Sequence, residues 1–328
     1  MARHQTTERC PMNPDPGIIP VLDVTRALAG DPAAAEDTAS LLRAASEETG
    51  FVFIRGHGIP ASKIAAGFAA AEAFHSLPAA IKNHWPINDA MEGYLAQGGA
   101  TFTTSPDLSA ENRSDRNAAF FIGDIRPDGT IPCPDIAELP DFRPAISALY
   151  QAFLTLSHAL LPLYARALRL PSDTFEPAFR HPMTTLRLTH YPPAQYQPDE
   201  YGIAPHVDSS FITLLAQNPV PGLQLRLRDG RWTDAPSLPD TLLINTGDML
   251  RRWSNDRFIA TPHRASNASE KDRHAIPFFF HPDKEYRMTC LPGCETPERP
   301  EGYPPLTAAE YMTWFNRNNY RHMAGKSA

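Results

Sequence analysis

Three side chains in the second half of the chain have the residue types of a metal site. His206-Val207-Asp208 sets an imidazole and a carboxylate two residues apart, and residues so spaced on a strand point to the same face. On its own, such a triplet is weak evidence, since it arises by chance and is more often an ordinary His and Asp facing solvent at a strand end. Its neighbourhood, Ala204-Pro205-His206-Val207-Asp208-Ser209-Ser210, is nevertheless too polar for a plain core strand. His263 follows 57 residues later in Ala260-Thr261-Pro262-His263-Arg264 and offers a third ligand. Two imidazoles and one carboxylate on one face of an ion leave several positions open, which suits an iron(II) centre that binds both a co-substrate and oxygen. Zinc more often takes a fourth protein ligand or a single water. The other histidines compete less well. His57 lies between two glycines and reads as a turn or packing residue. His75, His84 and His158 fall in helical patterns, and His181 and His281 precede prolines in loop-like contexts.

The elements that must position these residues change character along the chain. Ile18–Asp23 and Phe51–Arg55 read as short strands, and residues 33–49 as a helix ended by Gly50. Residues 61–76 and 78–84 read as helical. Residues 86–135 are irregular apart from the apolar run Ala118–Ile122, a length of loop that is usually functional or disordered. Residues 143–169 carry the longest helical periodicity, with Pro162 expected to kink it. From residue 184 short apolar runs recur at 184–191, 203–216, 222–228, 241–246, 257–264 and 273–280, a spacing that predicts an all-β barrel or sandwich. A final helix is expected at 307–320. Along 184–191, Arg187, Thr189 and Tyr191 share one face, while His190 falls on the opposite face of its strand. His274, likewise turned away, is expected to be structural.

At this point the sequence resembles the isopenicillin N synthase-like 2-oxoglutarate and iron(II)-dependent oxygenases. The segments that carry the resemblance are Ile19–Asp23, Gly50–Pro60 (GFVFIRGHGIP), Leu186–Pro193 (LRLTHYPP), Val220–Leu225 (VPGLQL), Asp229–Trp232, Ile244–Asp248 (INTGD), Trp253-Ser254-Asn255 and Arg273–Phe280 (RHAIPFFF). They occur in the family's order across residues 18–295. The resemblance implies a mixed α/β fold with a mainly β core, a double-stranded β-helix (jelly roll, cupin-like) with N-terminal helices packed against it. It implies iron(II) on His206, Asp208 and His263, with 2-oxoglutarate and O2 as co-substrates. It assigns Arg273 to the far carboxylate of 2-oxoglutarate, a role suited to a guanidinium fork. Tyr191 and Thr189 are expected beside it. The family serine two residues after that arginine is Ala275 here, which removes one hydrogen bond to a charged group, worth roughly 1.5–3 kcal/mol. Family substrate pockets draw on the N-terminal half and the tail, which here points to Tyr94, Phe102, Thr103, Arg116, Phe120 and Phe315, while Arg187 on the strand 186–191 is a candidate for substrate or for a neighbouring acid. Such a lining suits a small, partly apolar molecule with one acidic or polar handle.

Whole-chain properties bound the reading. The net charge is −7, from 30 basic and 37 acidic residues among 328, which disfavours a polyanion-binding surface. No stretch reads as a membrane span or a signal peptide. The four cysteines imply no disulfide framework, and Cys290 and Cys294 read as reduced thiols rather than half of a zinc site. The expected organisation is a flexible arm at 1–17, a helix-rich region at 18–170, the oxygenase core at 171–295 and a helical tail at 296–328. The expected protein is a cytoplasmic monomer or weak homo-oligomer that acts on a small molecule, without nucleic-acid or membrane partners. Two rivals stay open: a 2-oxoglutarate-independent iron oxidase of the isopenicillin N synthase type, and a metal- or ligand-binding protein without turnover.

Overall fold

The computed structural model describes residues 18–101, 115–197 and 200–325. The arm expected at 1–17 and the candidates Phe102 and Thr103 lie outside them. In chain order the elements are β1 (Val21–Asp23), α1 (Thr25–Leu28), α2 (Pro32–Glu48), β2 (Phe51–Arg55), α3 (Ala61–Ser76), α4 (Ala79–Lys82), β3 (Gly93–Leu95), β4 (Ala118–Ile122) and α5 (Phe142–Ala167). There follow β5 (Pro182–Tyr191), β6 (Ile203–His206), β7 (Ile212–Gln217), β8 (Leu223–Arg226), β9 (Trp232–Asp234) and β10 (Leu242–Thr246). The last are α6 (Asp248–Trp253), β11 (His263–Ala265), β12 (Arg273–Asp283), β13 (Arg287–Met288), β14 (Leu306–Thr307) and α7 (Ala308–Asn319).

Two sheets form the jelly roll. The larger has the order β1-β2-β10-β7-β12-β5-β4-β3, and the smaller has the order β6-β11-β8-β9. The strands before residue 170 are therefore built into the same sheet as the core strands, so the helix-rich N-terminal region and the oxygenase core are continuous. The helices cover the outer face of the larger sheet. Tyr150 and Phe153 of α5 meet Phe278, His158 meets Phe280, and Phe74 of α3 packs on Phe120 and Phe142. Even-numbered residues of β12 thus face the helices, and the period of two sends its odd-numbered residues inward, between the sheets.

Local signals explain where the elements begin and end. Asp31 caps α2 by accepting from the backbone N–H groups of Ala33 and Ala34, with Pro32 in the first turn. Gly50 closes it at φ +66°, where a Cβ would lie 2.4 Å from the Ile259 oxygen. Thr307 and Glu310 form a capping box on α7. Several expectations need correction. The run 203–216 divides into β6 and β7, and only the end of 257–264 is strand. α6, β3 and β9 are too short to leave a period in the sequence. The helix expected at 143–169 is α5, with Pro162 inside it. It is also long and apolar enough to cross a bilayer by length and composition, contrary to the expectation that no stretch is, and its apolar side packs against α2, α3 and the sheet.

One close approach ties this framework to the metal residues. A Cβ on Gly247, between β10 and α6, would lie 1.9 Å from the Ser210 oxygen. Gly247→Ala is therefore expected to destabilise the fold by about 1–3 kcal/mol or more, read as a lower denaturation midpoint. An unchanged midpoint would show that this junction has room the backbone does not display.

Candidate active site

The three ligand candidates converge because two strands of the smaller sheet pair at the right place. His206, the last residue of β6, is the antiparallel partner of His263, the first of β11, and their ring centroids are 4.3 Å apart. Asp208 follows β6 by two residues. Its Oδ1 lies 3.6 Å from Nε2 of both histidines, and one ligand atom from each of the three residues falls within 4.8 Å of the others. Each Nδ1 faces a backbone carbonyl, Ala204 O at 2.8 Å for His206 and Thr261 O at 3.1 Å for His263. A carbonyl only accepts, so each Nδ1 carries the proton and each Nε2 presents its lone pair. The second oxygen of Asp208 accepts from Asn245 Nδ2 at 2.7 Å, and its backbone carbonyl accepts from Asp248 N at 2.7 Å.

All three ligand candidates are buried. Burial pushes the Asp208 carboxyl up, but the flanking imidazoles outweigh it and hold the group well below the usual carboxylate range. Burial, with His263 alongside, pulls His206 down. At His263 burial is outweighed by Asp208, and the imidazole is raised. Two neutral Nε2 donors and one carboxylate, with room left between the sheets, fit an iron(II) ion with open positions.

Between the sheets a cavity opens on one side of the triad, lined in part by Thr189, Tyr191, Asn245, Arg273 and Ala275. Arg273 is 1% exposed and stands opposite Tyr191 in register. Its guanidinium lies over the Tyr191 ring at 4.7 Å, and Nη2 donates to Gln217 Oε1 at 3.2 Å. Its Nε and Nη1 are buried without hydrogen-bond partners, and among the described residues no carboxylate pairs with it. A buried cation in this state fits an incoming carboxylate such as the far end of 2-oxoglutarate. Ala275 stands in register between Thr189 on β5 and Gln217 on β7, so polar side chains flank the position that lost its hydroxyl.

A second cavity opens on the other side and shares Arg187, His206, Asp208 and Phe279 with the first. Phe121, Ser209, His281, Met312 and Phe315 also line it. Arg187 and Phe315 are therefore where the sequence reading places them. Phe120 and Tyr94 are not. They pair with each other across β3 and β4 and face the helices, each in contact with Phe74, whereas Phe121 faces the cavity. Arg116 lies outside both linings, bound to Glu200 at 3.1 Å and lying over Tyr196. The sequence reading passed over Asn245, Gln217 and Phe121. It also placed His281 in a loop, although β12 runs on to Asp283. There His281 is buried, which lowers its pKa to about 4, and its Nε2 lies 3.3 Å from Ser209 Oγ. His75, His190 and His274 form a cluster on the helix side of the sheet, with His190 and His274 stacked at 4.8 Å, as expected of structural residues.

Comparison with known proteins agrees with this geometry. Residues 182–282 match the family model of the 2OG-Fe(II) oxygenase superfamily, and residues 19–141 match that of the non-haem dioxygenase in morphine synthesis N-terminal region. The chain is 30% identical to the 2-oxoglutarate-Fe(II) type oxidoreductase hxnY of Emericella nidulans, over 92% of this chain and 90% of that protein. It is 31% identical to gibberellin 3-beta-dioxygenase 1 of Oryza sativa subsp. japonica, over 90% and 76% respectively. Among solved structures, the full-length Neurospora crassa T7H in complex with alpha-KG and thymine superposes with a TM-score of 0.81 at 24% identity, covering 93% of this chain and 98% of that one.

Because Asn245 fixes the outer oxygen of Asp208, Asn245→Ala is expected to weaken iron(II) binding about 10- to 100-fold with the fold retained. Anaerobic metal titration alongside circular dichroism checks this. Wild-type affinity in the variant would show that the carboxylate orients itself without the amide.

Proposed function

This chain belongs to the 2OG-Fe(II) oxygenase superfamily and is an Fe(II)- and 2-oxoglutarate-dependent dioxygenase, and from that premise we propose how its residues divide the work. His206, Asp208 and His263 hold the iron. Arg273 binds the far carboxylate of 2-oxoglutarate, with Tyr191 beneath its guanidinium and Thr189 and Gln217 supplying polar contacts around Ala275. The single observation that carries this assignment is the fully buried Arg273, with two nitrogens lacking partners, in the cavity next to the triad.

Iron and 2-oxoglutarate, when bound, supply the oxidising chemistry: oxygen and 2-oxoglutarate are consumed, and succinate and CO2 leave as the small molecule is hydroxylated, desaturated or cyclised. The chain's own part is to orient and to exclude. The backbone carbonyls of Ala204 and Thr261 keep both imidazoles in the tautomer that binds metal. Asn245 keeps one Asp208 oxygen turned to the triad. Phe51, edge-on to His263 at 5.4 Å, and Leu223 wall the co-substrate side against water. Thr189 and Gln217 beside Ala275 support 2-oxoglutarate use over the co-substrate-free oxidase, because polar groups remain where the family hydroxyl is missing. A small-molecule substrate suits the lining of the second cavity, where Arg187 and aromatic side chains stand beside two of the metal residues. The acidic net charge disfavours nucleic acid and anionic membrane as partners, and we read the enzyme as cytoplasmic, monomeric or weakly self-associating.

Removing one partner of a buried ion pair costs about 3–5 kcal/mol. Arg273→Ala is therefore expected to raise the 2-oxoglutarate concentration for half-maximal succinate formation by roughly 100-fold or more, leaving the iron(II) titration close to wild type. Parallel losses of iron and 2-oxoglutarate affinity would contradict the assigned role.

A further inference from the structure

A second buried cation besides Arg273 stands next to the triad and lines both cavities. Arg187 is 3% exposed and sits on the inward face of β5. Its Nη2 donates to Asn117 Oδ1 at 2.5 Å, while its Nε is buried and makes no hydrogen bond. The guanidinium lies 5.1 Å from the centre of the Phe121 ring, its cross-strand neighbour, which fixes its plane. Among the described residues no carboxylate comes within ion-pair distance. Asp115 reaches it only through its field. One oxygen of Asp115 accepts from Ala204 N, the other has no partner, and burial raises the carboxyl to about 7, so its compensation is incomplete at neutral pH.

A buried cation without a counter-charge is costly, and a ligand anion in the same cavity offsets that cost. Arg273 stands opposite Tyr191, four residues along β5 from Arg187, or about 13 Å at the rise of a strand. The two arginines thus rise from separate points on one inner face, and the metal triad is reached from both cavities. Around Arg187 the wall carries Phe121, Phe279, Met312 and Phe315, alongside polar side chains that include Ser209 and His281.

We propose that the cavity on the Arg187 side takes a small planar organic monocarboxylic acid as prime substrate, its carboxylate held by Arg187 and its apolar body lying among Phe121, Phe279 and Phe315. This rests on the oxygenase reading above and names the substrate class for the same site. The carboxylate is the recognised group, and the carbon to be oxidised lies in the apolar body turned towards His206 and Asp208.

Benzoate and its uncharged counterpart benzamide test this on the anaerobic wild-type protein, loaded with iron(II) and saturating 2-oxoglutarate so that Arg273 is already occupied. Binding is read from the perturbed visible charge-transfer band and from the shift in melting temperature. Benzoate is expected to bind at least about 10-fold more tightly than benzamide, the effect of one hydrogen bond to a charged group. Arg187→Gln should erase that preference, and Arg187→Lys should keep part of it. Equal binding of the two probes overturns the proposal. So does an Arg187→Gln variant that keeps the benzoate preference, or one whose main defect is a weakened 2-oxoglutarate titration, since that would make Arg187 a co-substrate residue. Absence of any charge-transfer band in the wild type would overturn the oxygenase reading and this proposal with it.

Discussion

The carboxylate of Asp208 is the point on which the molecule closes. One oxygen faces two imidazole nitrogens and the other is held by Asn245. A buried carboxylate is tolerated only when charge and hydrogen bonds compensate for lost water, and here each compensating group arrives from a different part of the chain. His206 and His263 come from paired strands of the smaller sheet, and Asn245 comes from β10 of the larger one. The Asp208 backbone carbonyl accepts from Asp248, the first residue of α6, and the Asp248 carboxylate accepts from Tyr311 on α7. Misplacing any of these elements leaves a charge uncompensated at the centre, so the metal site and the closure of the jelly roll are one constraint.

Two neighbouring strands then organise the rest of the site. β5 and β12 pair with Arg273 opposite Tyr191, Ala275 opposite Thr189 and Phe279 opposite Thr185. Their odd-numbered residues form one continuous inner surface that runs past the triad. At one end that surface is cationic and polar, with Arg273, Tyr191 and Thr189. Towards the other it carries Arg187, Phe279 and His281, and α7 covers it with Met312 and Phe315. The metal thus lies between a cavity whose cation, Arg273, suits the far end of a dicarboxylate and one that adds Phe121, Met312 and Phe315 beside Arg187. A two-residue period, applied to two strands, is enough to produce this division.

The same period explains what the sequence disclosed and what it hid. The triad was legible because H-x-D places two ligands on one face and because polar residues around it break the apolar texture of the strands. Arg187, Thr189 and Tyr191 were legible by alternation, as was the outward turn of His190 and His274. Alternation failed at Ala118–Ile122, where five buried apolar residues in a row carry no phase, so Phe120 was preferred over Phe121. His281 was hidden because Pro282 reads as the end of a strand that continues one residue further. Asn245 and Gln217 were hidden because an amide in a β run has no signature until its partner is known. The helical elements were legible where caps and periodicity agreed, as in α2 and α7. α6 was not, because six residues are fewer than two turns.

The central claim is that His206, Asp208 and His263 hold one iron(II) to which 2-oxoglutarate binds through two oxygens while Arg273 holds its far end. Anaerobic titration of the apo-protein, first with iron(II) and then with 2-oxoglutarate, tests it directly. The account predicts one equivalent of iron, followed by a weak visible charge-transfer band that saturates with one equivalent of 2-oxoglutarate and is absent in Asp208→Ala. Iron binding without the band, or a band of full intensity in Asp208→Ala, would contradict it.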